Sequence, residues 1–164
     1  MEVRPVQPEE YEQVGQLVVA AYRAIPGGHL SSDYALELAN VERRAREAEV
    51  MVAVDGQGEA PLGCVTFVPD ASSPYAELLE GGEAGIRMLA VDPGAQRRGT
   101  GRALLAACIG RARELRCTAL ILHTTPWMTS AHRLYEASGF ERLPDRDWAP
   151  VPEVNLMAYR MLLG

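Results

Sequence analysis

The sequence is short of what several protein classes require. It has 3 cysteines, Cys64, Cys108 and Cys117, an odd number spread without a Cys-x-x-Cys pair or a cysteine–histidine cluster. They cannot all pair within the chain and no zinc site is spelled out, so a reducing compartment and no metal are expected. Positive charge is scarce as well: 16 basic residues stand against 22 acidic ones, a formal charge of −6. A protein that gripped nucleic acid by neutralising phosphates would carry the opposite balance. A cationic partner suits an acidic chain better. No run of about 18 apolar residues occurs, and the opening stretch Met1–Gln13 lacks the apolar core of an export signal. A cytoplasmic location is expected, with neither membrane nor nucleic acid as partner. Internal repeats and low-complexity tracts are missing too.

What is present is an ordinary globular composition, 48% hydrophobic and 23% charged over 164 residues, enough for one domain spanning 1–164 with a substantial core. Residues 2–6 read as a short edge strand, where Pro5 is tolerable. Pro8, Glu9 and Glu10 open a helix, because proline loses nothing in the first turn and carboxylates oppose the N-terminal dipole. Tyr11, Val14, Leu17, Val18, Ala21 and Tyr22 follow at helical spacing until Pro26-Gly27-Gly28 stops the run. Ser31 to Asp33 cap a second helix that reaches about Ala48. Val50–Val54 and Leu62–Val68 form a hairpin, and Pro69–Gly82 is a loop. A strand (83–91), a helix (99–115), a strand (118–123), a helix (about 129–138) and strands near 140–142 and 154–162 complete the chain. The order β-α-α-β-β-β-α-β-α-β-β describes an α/β domain, a mixed sheet flanked by helices.

Chemistry concentrates in Ile86–Leu105. An apolar strand ends at Asp92-Pro93, where proline has no ladder donor to give, and a helix opens around Gly99. Gly99 and Gly101 lack side chains, so their amides, with those of Arg98 and Thr100, can converge on an anion at the positive end of that helix. Arg97, Arg98 and Arg102 add charge-assisted donors, a basic cluster inside an acidic protein. A pyrophosphate is the ligand this arrangement suits. The Gly-x-x-x-x-Gly-Lys loop of nucleoside triphosphate enzymes is missing, and Leu104 stands where a dinucleotide fold needs its third glycine.

Two segments resemble one family. Gln96-Arg-Arg-Gly-Thr-Gly101, preceded by Leu89-Ala-Val-Asp-Pro93, is similar to the Q/R-x-x-G-x-G/A signature of the GNAT superfamily of acetyltransferases. Ala131-His-Arg-Leu-Tyr-Glu-Ala-Ser-Gly-Phe140 resembles that family's A-x-x-L-Y-x-x-x-G-F helix. The resemblance implies a mostly antiparallel sheet of six to seven strands with about four helices, whose fourth strand splays from the fifth to open a V-shaped cleft for acetyl-CoA. It implies main-chain contacts from Leu89, Ala90 and Val91 to the pantetheine arm and the acetyl carbonyl. The pyrophosphate would lie on Gln96, Arg97, Arg98, Gly99, Thr100, Gly101 and Arg102.

Acetyl transfer to a primary amine needs a neutral amine and a protonated leaving sulfur. By the same resemblance Tyr135 is the acid that protonates the thiolate. For the base the sequence leaves two choices. Glu83 opens the fourth strand, where many relatives carry a glutamate acting through water. His123 ends the fifth strand, twelve residues before Tyr135, and histidine is a residue type suited to taking a proton near neutral pH. Met128 stands where relatives often have a cofactor-binding asparagine, so that contact is in doubt. Trp127, Trp148 and Tyr75 are aromatic candidates for the acceptor pocket. The three cysteines are expected to be silent. The acceptor is expected to be a small molecule, with a protein N-terminal or lysine acetyltransferase and a non-catalytic acyl-CoA sensor as alternatives. The oligomeric state stays open, a homodimer through an exposed terminal strand being compatible with such a sheet.

Overall fold

The computed structural model describes all residues, 1–164. Eight strands form one sheet: β1 (Glu2–Pro5), β2 (Glu49–Val54), β3 (Gly63–Val68), β4 (Glu83–Val91), β5 (Ala119–Thr124), β6 (Glu141–Arg142), β7 (Trp148–Val151) and β8 (Val154–Leu162). They lie in the order β1-β2-β3-β4-β5-β8-β6, with β7 paired to β8 off that path. All neighbours are antiparallel except β4 and β5, which run parallel. The helix α4 (Thr100–Glu114) connects that parallel pair, as a parallel connection requires.

The helices α1 (Tyr11–Arg23), α2 (Ser32–Ala39) and α3 (Val41–Glu47) cover one face of the sheet, and α4 and α5 (Thr129–Ala137) cover the other. Strand alternation decides which side chains meet which helices. On β2, Val50 and Val52 join Val14, Val18, Leu38 and Val41 under the first helices, while Ala53 turns to Leu104 and Leu105 of α4. Each fully buried side chain of this kind stabilises the fold by about 1.5–3 kcal/mol.

β4 breaks this alternation. Ala84 and Ile86 face α4 and α5, yet Met88 and Ala90, still at even positions, face α1–α3. An extra residue causes the switch: Cys64 pairs with Ala90 and Thr66 with Arg87, so two steps on β3 span three on β4. Met88 absorbs the bulge with a φ of 54°, a conformation that costs a branched or bulky side chain roughly 1–2 kcal/mol. The bulge bends β4 midway along its length.

Two differences from the sequence-based expectation have local causes. The second helix is two, since Asn40 leaves the helical region (φ −85°, ψ 68°) and its side chain accepts from the Arg43 amide at 3.2 Å, capping α3. The sheet has eight strands and five α-helices flank it, because Trp148–Val151 pairs with β8 despite Pro150. That strand has a partner on one side only, so the missing proline donor is not needed.

Arg44 ties α2 to α3. It is fully buried and donates to Glu37 O at 2.7 Å and Leu38 O at 2.8 Å, carbonyls the end of α2 leaves free. Burial without a carboxylate partner lowers its pKa from the ordinary arginine value. All 16 basic residues of the chain are arginines, so every intramolecular cation apart from the N-terminus and histidine is a guanidinium.

Candidate active site

The bend in β4 opens a fork. β4 and β5 share four residue pairs, Glu83–Ala119 to Ile86–Leu122, and then part, β4 running on to Val91 and β5 to Thr124. The expected V-shaped cleft is therefore present, with its apex at Ile86 and Leu122. Past the apex the inner edge of β4, at Leu89, Ala90 and Val91, lacks a β5 partner, so its main-chain groups face the gap.

Above the fork lies the turn between β4 and α4. Asp92 accepts from the Gly94 amide at 2.8 Å and starts a single 3-10 turn, Pro93–Ala95. Arg97 and Gly99 then take left-handed conformations, φ 67° and 80°. Alternation of this kind points successive amides to one side and forms an anion-binding nest. From Arg97 to Arg102 no amide donates to any carbonyl of the chain. Six neighbouring N–H groups at a helix N-terminus thus await an acceptor. Gly99 carries no capping side chain. At Gly101 a Cβ would come within 2.9 Å of Leu134 Cδ2, so a side chain there would have to push the end of Leu134 aside. Gln96, Arg97, Arg98 and Arg102 are exposed around the nest, Arg98 in a loose 3.4 Å pair with Asp55. These donors fit a diphosphate such as that of coenzyme A.

On the α4–α5 side of the fork stands Tyr135. It is 5% exposed, its ring packed 6.0 Å from Phe140 and 5.9 Å from Tyr159. Burial pushes its phenol well above the ordinary tyrosine value, with smaller contributions from Cys108 and Tyr159. The proton is therefore held firmly. Met128, at the start of α5, receives a contact from Thr124 Oγ1 at 3.5 Å instead of offering an amide.

On the opposite side of the sheet, a small cavity sits at the apex, lined by Tyr75, Glu77, Leu79, Ile86, Arg87 and His123 among others. His123 is buried there, and its Nε2 lies 3.2 Å from the Arg146 carbonyl oxygen. A carbonyl only accepts, so Nε2 donates to it, and Nδ1 faces the Glu77 carboxylate, with Oε1 at 3.5 Å.

Glu83 is placed elsewhere. It lies at the closed base of the fork, bound by Arg146 at 2.6 and 2.8 Å and by the Glu80 amide at 2.9 Å. The Arg146 hydrogen bonds outweigh burial and hold its carboxyl below the usual glutamate range. The structure thus places His123 in the apex cavity and Tyr135 in the core beside Phe140 and Tyr159, and holds Glu83 against Arg146 at the closed base.

Sequence reasoning did not single out Glu77 and Arg87, which line the cavity, or Tyr22 and Tyr34. Tyr22 and Tyr34 pack edge to face, 6.2 Å apart, above the strand that carries Arg87. Arg87 had one visible signal, a lone charge in the otherwise apolar run Ile86–Val91; Glu77, in the loop, had none. Of the aromatic candidates, Tyr75 lines the cavity and Trp127 meets the α1–α2 loop, where a Cβ on Gly28 would lie 3.2 Å from its Nε1. Trp148 is in β7, its Nε1 buried without a partner. Burial pushes the Cys64 thiol up to about 12 and Cys108 higher still, which disfavours the reactive thiolate at both.

The acetyltransferase (GNAT) family model matches residues 12–140. The chain belongs to this family and is an acetyl-CoA-dependent acyltransferase. Its fold is similar to an acetyltransferase of the GNAT family from Staphylococcus aureus Mu50, with a TM-score of 0.78 at 16% identity over 99% of each chain. It is also similar to yncA from Salmonella typhimurium, solved with its cofactor acetyl-CoA, with a TM-score of 0.68 at 18% identity over 99% of this chain and 94% of that one. A ribosomal-protein-alanine N-acetyltransferase from Brucella melitensis gives a TM-score of 0.66 at 20% identity over 99% of this chain and 100% of that one. At these identities the likeness is one of fold. No protein of curated function matches the sequence.

Proposed function

We propose that the protein transfers the acetyl group of acetyl-CoA to the primary amine of a small molecule, by direct attack in a ternary complex. The carrying observation is the fork itself, with six unpaired amides at its mouth and an unpaired β4 edge along its gap. The nest and Arg97, Arg98 and Arg102 would hold the diphosphate, and the free edge of Leu89–Val91 would bond the pantetheine arm and the acetyl carbonyl. The thioester then lies between Tyr135 and the cavity that contains His123.

The amine nitrogen attacks the thioester carbon, forming the C–N bond as the C–S bond breaks. Nδ1 of His123, directly or through one water, takes the proton the nitrogen loses, and Glu77 stabilises the resulting imidazolium. Tyr135 gives its proton to the departing sulfur. Its raised pKa keeps the phenol protonated before transfer. Glu83 acts indirectly in this scheme: it anchors Arg146, whose carbonyl fixes the tautomer and orientation of His123. Both buried thiols are too poorly acidic to carry an acetyl group, which supports direct transfer.

Thiol release from acetyl-CoA, followed with a panel of amines and peptides, tests this reading. Amine-dependent release with intersecting initial-velocity lines is expected. Parallel lines would overturn direct attack, and release that depends on peptides alone would overturn the small acceptor.

A further inference from the structure

Glu77 divides its two oxygens between a histidine and an arginine. Oε1 faces Nδ1 of His123 at 3.5 Å, and Oε2 faces Nη2 of Arg87 at 3.7 Å. Glu77 comes from the loop between β3 and β4, with no strand or helix to hold it. Arg87 is fixed far better. It stands on β4 beside the bulge, donates to the Tyr34 hydroxyl and lies over the Tyr75 ring, its guanidinium carbon 6.0 Å from the centroid. Burial opposes its charge, but Glu77 and the surrounding tyrosines outweigh burial and raise its pKa. The cavity these groups line has room for about one water. No ligand anion fits between them, so the charges answer to one another.

We infer that Arg87 is a positioning residue for the base: it holds Glu77 so that Oε1 meets Nδ1 of His123, and it offsets the Glu77 charge so that the ring can take a proton near neutral pH. This rests on the acetyl-transfer reading with His123 as base and deepens it. A bare carboxylate beside Nδ1 favours the imidazolium and leaves the base already protonated; a guanidinium on the far oxygen opposes that. The other charges on the elements around His123 are matched elsewhere. Arg146 is taken by Glu83 and Glu80, and Asp147 by Arg142. Opposite His123 on β8 stands Ala158, and Arg160, the next residue on that face, acts on Glu83. Burial pushes the phenols of Tyr22, Tyr34 and Tyr75 up, so they are neutral. Arg87 is therefore the cation that decides how much of the Glu77 charge the ring feels.

Proton NMR of the histidine rings tests this without an acceptor, the His123 signal being the one absent from His123→Gln. In a pH titration, Arg87→Gln should raise the His123 midpoint by about 0.5–1 pH unit over the native protein, and Arg87→Lys should hold it near native. A midpoint in Arg87→Gln at or below the native one overturns the inference. Should that variant fold poorly, Arg87→Met, which keeps an unbranched stem against the Tyr75 ring, carries the same comparison. With an amine found active by thiol release, the acid limb of kcat/KM should move alkaline by the same interval while the KM for acetyl-CoA stays within about 2-fold. An equal loss of rate at every pH, with the ring midpoint unmoved, reduces Arg87 to a packing role and overturns the inference alone. A limb that stays in place while the ring midpoint moves overturns His123 as base, and the inference with it, but leaves transfer standing. Acetyl-CoA binding without release by any amine tested overturns transfer itself.

Discussion

The two ends of the fork carry the same kinds of residue in opposite states. At its closed base Glu83 and Arg146 meet at 2.6 Å, with Glu80 and the Leu78 carbonyl completing the set. Where the strands part, Glu77 stands 3.7 Å from Arg87 and 3.5 Å from His123, too far for good hydrogen bonds. Close pairing holds strands and turns together; the looser cluster surrounds the cavity at the apex. Both regions contain a glutamate on or beside the same strand, and residue type alone does not distinguish them.

Substitutions that break the contrast should separate rate from stability. The largest effect is expected at the open end: His123→Gln should lower kcat by about 100-fold or more, and Tyr135→Phe similarly, the span usual for general acid–base groups. Affinity for acetyl-CoA, measured calorimetrically, should stay near the native value in both. A Tyr135→Phe enzyme with native turnover would remove the acid assignment.

At the closed base the expected loss is in stability. Glu83→Gln should cost about 1.5–3 kcal/mol in urea unfolding, the worth of hydrogen bonds to a charged group, with a smaller fall in kcat through a loosened Arg146 carbonyl. Its pH dependence gives a sharper check. The folded carboxyl lies below the ordinary 4.5, so its contribution is complete above that value and is lost as pH falls through the folded value. The stability gap between native protein and variant should be flat from about pH 6 to 8 and narrow below about pH 4.5. A gap that widens on acidification contradicts the ion pair.

Smaller still is the effect expected at the nest. Gly99→Ala meets no atom within 4 Å but must hold a φ of 80°, costing roughly 1–2 kcal/mol and weakening acetyl-CoA binding several-fold. Least of all, Cys64→Ser should leave kcat unchanged; a large loss of turnover in a folded variant would give the thiol a chemical role.

Much of this molecule was legible in its residues because local chemistry spelled it. The Gly99–Gly101 turn could be read from proline, glycine and arginine in sequence, and the core strands from their branched apolar runs. The split at Asn40 was missed because a single capping side chain overrode a continuous helical period. The bulge at Met88 was not readable at all, since nothing in Arg-Met-Leu marks a positive φ, yet it decides that Met88 and Ala90 change faces and that the fork opens. The base was ambiguous for a related reason: whether Glu83 is spent or free depends on Arg146, 63 residues away along the chain.

The exclusive use of arginine has a practical consequence. An enzyme that handles an activated acyl group risks modifying its own surface amines, and guanidinium groups do not take part in that reaction. Among these 164 residues there is no lysine, so no side chain offers a primary amine. Incubated with labelled acetyl-CoA, the protein should stay unmarked at every side-chain nitrogen, so that radioactivity or added mass reports the acceptor without background from the catalyst.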